Sequence, residues 1–342
     1  MCGAFSTDED LQGFICESPL LSKVGLAPEA VSKNLDWWKE LGTLLINNLQ
    51  MDSENLTDAE RERVYQYYLP VYHWCQSQLQ RHKEQNAGTC QPIVLGLSAP
   101  QGCGKTTVVE QLEALFRAQG MTAVAVSVDD FYLTFEEQQA LAEAHPGNAL
   151  LQFRGNAGSH DVALGTDTLR SLLALKTPED EAATPRYDKS LNEGRGDRAP
   201  PIQWPVVKGP VDVILFEGWM FGFAPVSEEE ACTVDPQLKE VNAALRGYKA
   251  AWDSFVDAWM VIKVDDHNWV QKWRLQAEVA MREKGLPCMT DEQVKDFVDR
   301  FLPAYRAYLP GLYADGPTTA GEDVPVLVID VDENRSVHGH SD

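Results

Sequence analysis

A short loop that contains two glycines, a lysine and two threonines has the residue types that bind phosphate. It reads Ser98-Ala99-Pro100-Gln101-Gly102-Cys103-Gly104-Lys105-Thr106-Thr107 and lies between an apolar run and a helical pattern. Gly102 and Gly104 allow the backbone to curl so that successive N–H groups face an anion, and the following helix start adds partial positive charge. Lys105 would reach the β- and γ-phosphates of a nucleotide, and Thr106 would offer a hydroxyl to Mg²⁺. We therefore predict that ATP and Mg²⁺ bind here, with ATP contacted by Gln101, Gly102, Cys103, Gly104, Lys105, Thr106 and Thr107.

Two acidic segments directly follow apolar runs of the kind that form buried strands. Val126-Ser127-Val128 leads into Asp129 and Asp130, and Leu215-Phe216 leads into Glu217. In a doubly wound sheet both segments would end beside the phosphate loop. Phosphoryl transfer to an alcohol needs an acceptor for the hydroxyl proton and an anchor for hydrated Mg²⁺. We assign Asp129 to the first role, with Asp130 as the alternative, and Glu217 to the metal; an ordinary helix cap is the competing interpretation of such acids.

A segment rich in arginine lies between the second and third apolar runs. It contains Arg186, Lys189, Arg195 and Arg198, although the whole chain has 29 basic and 52 acidic residues and a net charge of -23. Because a guanidinium binds carboxylates and phosphates through two parallel hydrogen bonds, this segment could bind an anionic substrate. The alternative is a solvated loop whose charges pair with its own acids.

Outside that segment, one basic helical stretch and one cysteine have a possible role in the reaction. Arg274 lies in the stretch, and a cation there could balance charge that develops as the site closes, although a mixed-charge surface helix would have the same composition. Cys103 lies inside the phosphate loop, where N–H groups and Lys105 would lower its pKa. We expect thiol reagents to modify Cys103 unless Mg-ATP protects it; otherwise it is only a small residue that a tight loop tolerates.

The charge and the cysteine spacing limit the remaining possibilities. An acidic surface disfavours nonspecific contact with nucleic acid and with anionic lipid. No apolar run approaches the roughly 20 residues that span a bilayer. The seven cysteines form no CxxC pair and no zinc-type spacing, so we expect free thiols. We therefore expect a small-molecule substrate and neither a nucleic acid nor a membrane partner; protein partners stay open.

Five apolar runs and the helical patterns between them predict the scaffold that positions these residues. Strands that alternate with helices are typical of an α/β fold with a doubly wound parallel sheet of the P-loop NTPase type. Residues 1–88 show only helical spacing, so we expect a helical N-terminal segment there. The runs are Ile93–Leu97, Ala123–Val128, Val211–Phe216, Trp259–Val264 and Val326–Val331.

Six motifs, taken in chain order, resemble those of the D-glycerate 3-kinases of plants and algae. The similarity covers nearly the whole chain, and Ala99, which replaces the first glycine of the usual phosphate-loop pattern, agrees with that family. The resemblance implies a P-loop kinase domain at 89–342, with a substrate insert at about 150–210 and a lid helix at about 266–285. The motifs are the phosphate loop, Asp-Asp-Phe-Tyr (129–132), Arg-Gly-Asn-Ala-Gly-Ser-His-Asp (154–161), Pro-Arg-Tyr-Asp-Lys-Ser (185–190), Gly-Arg-Gly-Asp-Arg (194–198) and Leu-Phe-Glu-Gly-Trp (215–219).

The resemblance implies the reaction of that family, in which the γ-phosphate of ATP passes to the 3-hydroxyl of D-glycerate. The products are 3-phosphoglycerate and ADP, and the reaction closes photorespiration in plastids. Lys105, Asp129 and Arg274 are then the expected catalytic residues. The residues expected around the substrate are Asp130, Tyr132, Arg154, His160, Asp161, Arg186, Arg195 and Arg198.

Two other functions and the compartment stay open from the sequence. A uridine or pantothenate kinase would share the phosphate loop, and Tyr132, Tyr187, Trp204 and Trp219 could form a slot for a nucleoside. A regulatory P-loop ATPase would use the same loop but would have no use for the arginine-rich segment. Residues 1–10 have neither a basic signal-peptide start nor arginine-rich transit character. We expect the chloroplast stroma if a transit peptide has been removed, and the cytoplasm otherwise.

Overall fold

The computed structural model describes residues 5–89, 91–285, 288–321 and 323–339. A parallel five-stranded sheet forms its centre, with strand order β2-β7-β1-β8-β9. Two antiparallel ribbons, β3–β6 and β4–β5, lie in the region between the second and third central strands. The strands are β1 (Ile93–Ser98), β2 (Ala123–Ser127), β3 (Glu181–Ala183), β4 (Tyr187–Asp188), β5 (Asp197–Arg198), β6 (Val206–Lys208), β7 (Val213–Gly218), β8 (Ala258–Val264) and β9 (Val326–Val331).

Helices cover both faces of this sheet, so the predicted doubly wound α/β fold is confirmed. A π-helical stretch, Glu62–Tyr68, joins α4 to α5. The helices are α1 (Asp8–Cys16), α2 (Pro28–Lys33), α3 (Leu35–Asn48), α4 (Asp58–Arg61), α5 (Leu69–Gln85), α6 (Lys105–Ala118), α7 (Phe135–Ala144), α8 (Val162–Leu173), α9 (Glu228–Val234), α10 (Leu238–Leu245), α11 (Tyr248–Ala251), α12 (Trp269–Glu283), α13 (Asp291–Asp299) and α14 (Leu302–Asp315).

The hydrophobic core has two layers, one on each face of the sheet. Leu95 and Leu97 of β1 pack with the N-terminal helices and α6, whereas Val94 packs with α8 and the helices that follow β7. Because side chains alternate across a strand, one apolar run supplies both layers. The N-terminal segment and the sheet therefore share a hydrophobic core. Among the described residues, no helix is both long and apolar enough to cross a membrane.

Strand β7, the third of the predicted apolar runs, differs from its prediction in a way that matters for the site. It begins at Val213 and not at Val211, because the Val211 N–H bonds to the Leu175 carbonyl at 3.2 Å instead of to a neighbouring strand. It also continues through Glu217, which was expected to follow the strand. Glu217 is therefore held by the sheet itself, opposite Leu97 of β1.

Candidate active site

The phosphate loop connects β1 to α6 and has the curled backbone that its glycines predict. Gly102 has φ +81° and Gly104 has φ +95°, both in the left-handed region that favours glycine. Helix α6 begins at Lys105, so its free N–H groups open toward the loop. The Tyr305 hydroxyl accepts a hydrogen bond from the Gln101 N–H at 3.0 Å and supports the loop from α14. This backbone can receive an anion.

Lys105 forms a buried ion pair with Glu217. Its Nζ lies 2.6 Å from Glu217 Oε2, and the two side chains are 14% and 7% exposed. Burial alone would lower the pKa of Lys105, but the carboxylates of Glu217 and Asp129 outweigh it and raise that pKa above its ordinary value. The lysine is therefore charged, and it lies where the phosphate loop meets α6.

Asp129 lies beside this pair, in a 3-10 turn at the end of β2. Ser127 ends the strand, and its hydroxyl accepts a hydrogen bond from the Asp129 N–H at 3.2 Å. Lys189 Nζ, from the segment between β2 and β7, lies 2.5 Å from Asp129 Oδ2. Burial would raise the pKa of Asp129, but Lys189 and then Lys105 lower it well below its ordinary value. Lys105, Asp129, Lys189 and Glu217 thus form one cluster of alternating charge, called here the charge cluster.

Asp130 is placed differently from its neighbour. Its Oδ1 accepts a hydrogen bond from the Tyr187 N–H at 3.2 Å, and its Oδ2 pairs with Arg186 Nη1 at 3.2 Å. Burial raises its pKa, although Arg186 opposes that rise. Asp130 therefore holds ribbon β4–β5, whereas Asp129 belongs to the charge cluster.

Arg154 and Arg198 make their contacts within the segment between β2 and β7. Arg154 donates hydrogen bonds to the carbonyls of Gly194 and Arg195, and its guanidinium lies 5.5 Å from the Tyr187 ring centroid. Arg198 lies 3.3 Å from Asp161, which caps α8, and donates to the Tyr132 carbonyl at 3.0 Å. These bonds join ribbon β4–β5 and its loop to Tyr132 and to the start of α8.

Arg195 is exposed and stacks on two aromatic rings. Its guanidinium lies 5.9 Å from the Phe135 ring centroid and 5.2 Å from that of Phe153. This contact leaves its donors open to solvent.

His160 packs behind Tyr132. The two rings stack with centroids 4.6 Å apart, and Nδ1 lies 2.9 Å from the Tyr248 hydroxyl. Burial lowers the pKa of His160 to about 4, so the ring is neutral at pH 7. Burial and the neighbouring Asp129 carboxylate both raise the pKa of Tyr132 well above its ordinary value. Tyr132 therefore lies next to Asp129, with His160 as its support.

Arg274 makes its contacts on α12 and α13. It pairs with Glu278, one turn along the same helix, and its guanidinium lies 5.2 Å from the Phe297 ring centroid. Neither Glu278 nor Phe297 belongs to the charge cluster. The catalytic role of Arg274 stays a prediction.

The expected lowering of the Cys103 pKa is wrong. The side chain is only 2% exposed, and burial raises its pKa to about 11, a change that the opposing effect of Lys105 does not overcome. The thiol packs in the hydrophobic core beside the N-terminal helices and α6. The described cysteines are free thiols, and Cys2 and Cys90 lie outside the described residues.

We now expect iodoacetamide at pH 7.5 to modify the exposed Cys288 and to leave Cys103 intact, with or without Mg-ATP. A buried thiol with a raised pKa has almost no thiolate to react. Peptide mapping by mass spectrometry after timed labelling measures both sites, and labelling in urea is the control for detection. Modification of Cys103 at a rate close to that of Cys288 would contradict this result.

Two contacts near the phosphate loop were not predicted from the sequence. Lys189 was recognised only as one charge of a basic segment, because its contact with Asp129 spans 60 positions. Arg335 Nε donates to the Gly102 carbonyl at 2.7 Å from the turn after β9, and no motif marks that turn. Both contacts depend on how the chain returns to the strand ends.

A phosphate loop after β1, a buried lysine–glutamate pair and an aspartate at the end of β2 define a P-loop kinase. No protein-family model matches the chain. It is 49% identical to the chloroplastic D-glycerate 3-kinase of Arabidopsis thaliana over 333 residues, which cover 97% of this chain and 73% of the relative. A probable ATP-dependent kinase of Saccharomyces cerevisiae is 35% identical over 257 residues, covering 72% of this chain and 87% of the relative.

A solved structure gives the same result. The D-glycerate 3-kinase of Cryptococcus neoformans matches with a TM-score of 0.72 at 33% identity, over 80% of this chain and 97% of that chain. The chain therefore belongs to the D-glycerate 3-kinase family, and the resemblance found in the sequence is confirmed.

Proposed function

We propose that the protein transfers the γ-phosphate of ATP to the 3-hydroxyl of D-glycerate, giving 3-phosphoglycerate and ADP. The observation that carries the proposal is the charge cluster, in which Asp129 lies between the phosphate-loop lysine and Lys189. It supplies an acceptor for a hydroxyl proton, a cation for the transferred phosphoryl group and a second cation for a small carboxylate. D-Glycerate has a hydroxyl and a carboxylate in the required combination.

In this proposal Asp129 orients the attacking hydroxyl and receives its proton late. Its lowered pKa makes it a weak base while Lys189 is close. Phosphoryl transfer proceeds through a loose transition state, so the hydroxyl must be aligned before it must be deprotonated. Lys189 is 58% exposed and could turn from Asp129 to the carboxylate of the acceptor. That movement would raise the basicity of Asp129 when the substrate is in place.

The phosphate loop and Lys105 would bind the triphosphate, and Thr106 and Glu217 would hold Mg²⁺. Mg²⁺ is usually bound by one or two carboxylates together with substrate phosphates. The residues fit that pattern, because Glu217 is fixed by the sheet beside the loop and Thr106 is exposed in the first turn of α6. Among the described residues, no group of three His, Cys, Asp or Glu side chains could hold a metal by itself. Bound Mg²⁺ would neutralise charge on the phosphates.

The four aromatic residues that could have formed a nucleoside slot all contact other parts of the protein, and Trp204 does so by donating its indole N–H to the Ala199 carbonyl at 2.7 Å. Tyr132 stacks on His160, Arg154 lies over Tyr187, and Trp219 packs edge-to-face with its ring centroid 5.2 Å from that of Tyr305. This arrangement favours a small acceptor without a ring.

The substrate residues predicted from the sequence stay part of the proposal. The wall of the acceptor site would be built by Asp130, Arg154, Asp161, Arg186 and Arg198. The bonds that they make within the segment between β2 and β7 support that role. The substrate itself would be met by Tyr132 and Arg195, with His160 holding Tyr132. We also propose a role in photorespiration in the chloroplast stroma, which the chloroplastic relative supports.

Coupled ADP release tests the proposed reaction. The acceptors are D-glycerate, L-glycerate, pantothenate and uridine, each with Mg-ATP, and phosphorus NMR identifies the phosphorylated position. We expect turnover with D-glycerate to exceed that with the other acceptors, and 3-phosphoglycerate to be the product. Faster turnover with pantothenate or uridine, or ADP release that needs no acceptor, would reject the proposal.

Replacing Lys189 with methionine should raise KM for D-glycerate by about 10- to 100-fold, the usual loss for a hydrogen bond to a charged group. It should also move the acid limb of the kcat/KM profile to higher pH. Lys189 lowers the pKa of Asp129, so its removal raises that pKa, and the base is then protonated at a higher pH.

Steady-state kinetics from the lowest pH at which both proteins stay folded up to pH 9 measure both effects, because the low pKa of Asp129 places the wild-type acid limb below pH 5. Lys263→Met is a matched control, because Lys263 lies at the end of β8 and pairs with Asp330 instead of with Asp129. An unchanged acid limb in Lys189→Met would contradict the link between Lys189 and Asp129.

A further inference from the structure

The turn that follows β9 lies against the phosphate loop. Arg335 Nε donates a hydrogen bond to the Gly102 carbonyl oxygen at 2.7 Å. The guanidinium lies 5.1 Å from the centroid of the Trp273 ring system, and Nη1 donates to Gln276 Oε1 at 3.3 Å. Arg335 thus joins the phosphate loop to α12.

Arg335 is held in an uncommon backbone conformation. Its φ is +68°, in the left-handed region that residues with a side chain seldom adopt. Asp332 stabilises the turn, because its Oδ1 accepts hydrogen bonds from the Asn334 and Ser336 N–H groups at 2.8 Å each. Such a conformation persists where the surroundings determine it, and it directs the Arg335 side chain onto the loop.

The geometry of Gly102 explains why its peptide needs a partner. A Cβ at this position would lie 2.7 Å from the Trp273 Cβ, and φ is +81°, so glycine is required. Glycine also allows the adjoining peptide plane to rotate. In a planar peptide the Gly102 carbonyl and the Cys103 N–H point in opposite directions. With the carbonyl on Arg335, the Cys103 N–H faces the Pro100 carbonyl across the loop, at 3.5 Å.

We propose that Arg335 is a positioning residue for the nucleotide phosphates. It fixes the Gly102–Cys103 peptide so that the N–H, and not the carbonyl oxygen, lies inside the loop and is available to a bound phosphate. A long contact of 3.5 Å to Pro100 is one that a phosphate oxygen can replace. A carbonyl turned inward would remove this donor and repel the phosphate. The inference rests on the proposed nucleotide-binding role of the loop, and it is independent of the acceptor.

Calorimetric titration of Arg335→Met with ATP, inorganic tripolyphosphate and adenosine tests this role. We expect the affinities for ATP and tripolyphosphate to fall together by about 10- to 100-fold, and the affinity for adenosine to stay unchanged. In kinetics, KM for ATP should rise while KM for D-glycerate stays constant. A wild-type protein that binds ATP but does not phosphorylate D-glycerate would reject the proposed acceptor and leave this inference standing.

Two further variants separate positioning from structural support. Lys272→Met removes the 2.7 Å ion pair with Glu333, which ties the same turn to α12 without contacting Gly102. We expect it to change tripolyphosphate affinity by less than about threefold. Arg335→Lys keeps a charged donor without the planar group, so its loss should be intermediate.

Three outcomes would overturn the proposal. If adenosine affinity falls as much as ATP affinity in Arg335→Met, the residue contacts the base. If a folded Arg335→Met protein binds tripolyphosphate normally, the orientation of the Gly102–Cys103 peptide does not depend on Arg335. If Arg335→Met does not fold, equal losses in Arg335→Lys and Lys272→Met would show that the turn contributes only stability.

Discussion

Replacement of Lys105 with methionine should lower kcat/KM by at least about 10²- to 10³-fold, the loss that follows removal of one preorganised group that stabilises transition-state charge. Lys105 is nearly buried at the start of α6, and its raised pKa keeps it charged throughout the working pH range. No other cation of the charge cluster lies in the phosphate loop. Coupled ADP release with D-glycerate measures the effect, and activity within tenfold of wild type would contradict the role.

The same substitution should also destabilise the fold, because it leaves Glu217 buried without its partner. Removal of one member of a buried ion pair costs about 3 to 5 kcal/mol. The double variant Lys105→Met/Glu217→Gln has no unpaired charge and is the control. It should recover most of the lost melting temperature, measured by circular dichroism, but none of the activity. Recovery of activity along with stability would mean that Lys105 is only structural.

The sheet could be predicted almost completely from the sequence, since each strand is a short run of buried apolar residues bounded by polar ones. β9 matches its prediction at both ends, and β1 and β8 differ by one residue. The third run was predicted to begin too early because Val211 is as apolar as a strand residue. Only the tertiary contact with Leu175 shows that its N–H is used elsewhere. Strand ends depend on such contacts, and periodicity does not record them.

The candidate site was predictable where one segment supplies both the motif and its geometry. The phosphate loop and Asp129 are of this kind, because a strand end determines where the residue lies. The contact of Lys189 with Asp129 and that of Arg335 with the phosphate loop were missed because they span 60 and 233 positions. The predicted pKa of Cys103 was wrong for another reason. Its sequence neighbours are N–H donors and a lysine, but its side chain points into the core, where burial raises the pKa.

Asp129→Asn should lower kcat by about two to four orders of magnitude, the range for a positioned general base, and should leave KM for ATP nearly unchanged. Asparagine keeps the shape of the side chain but cannot take the hydroxyl proton. It also leaves Lys189 and Lys105 without the carboxylate between them, so D-glycerate should bind at least as well as in the wild type. Pre-steady-state ADP release separates the chemical step from product release and assigns the loss.

Asp130→Asn is the matched comparison, because the two carboxylates are adjacent in sequence and serve different neighbours. Asp130 holds the Tyr187 N–H and Arg186, so its replacement should loosen ribbon β4–β5. We therefore expect KM for D-glycerate to rise and kcat to fall by less than about tenfold. If Asp130→Asn shows the large loss in kcat and Asp129→Asn does not, the base is Asp130. The charge cluster would then serve only to bind the substrate, and Asp130 would have to release the Tyr187 N–H and Arg186 before it could reach a hydroxyl.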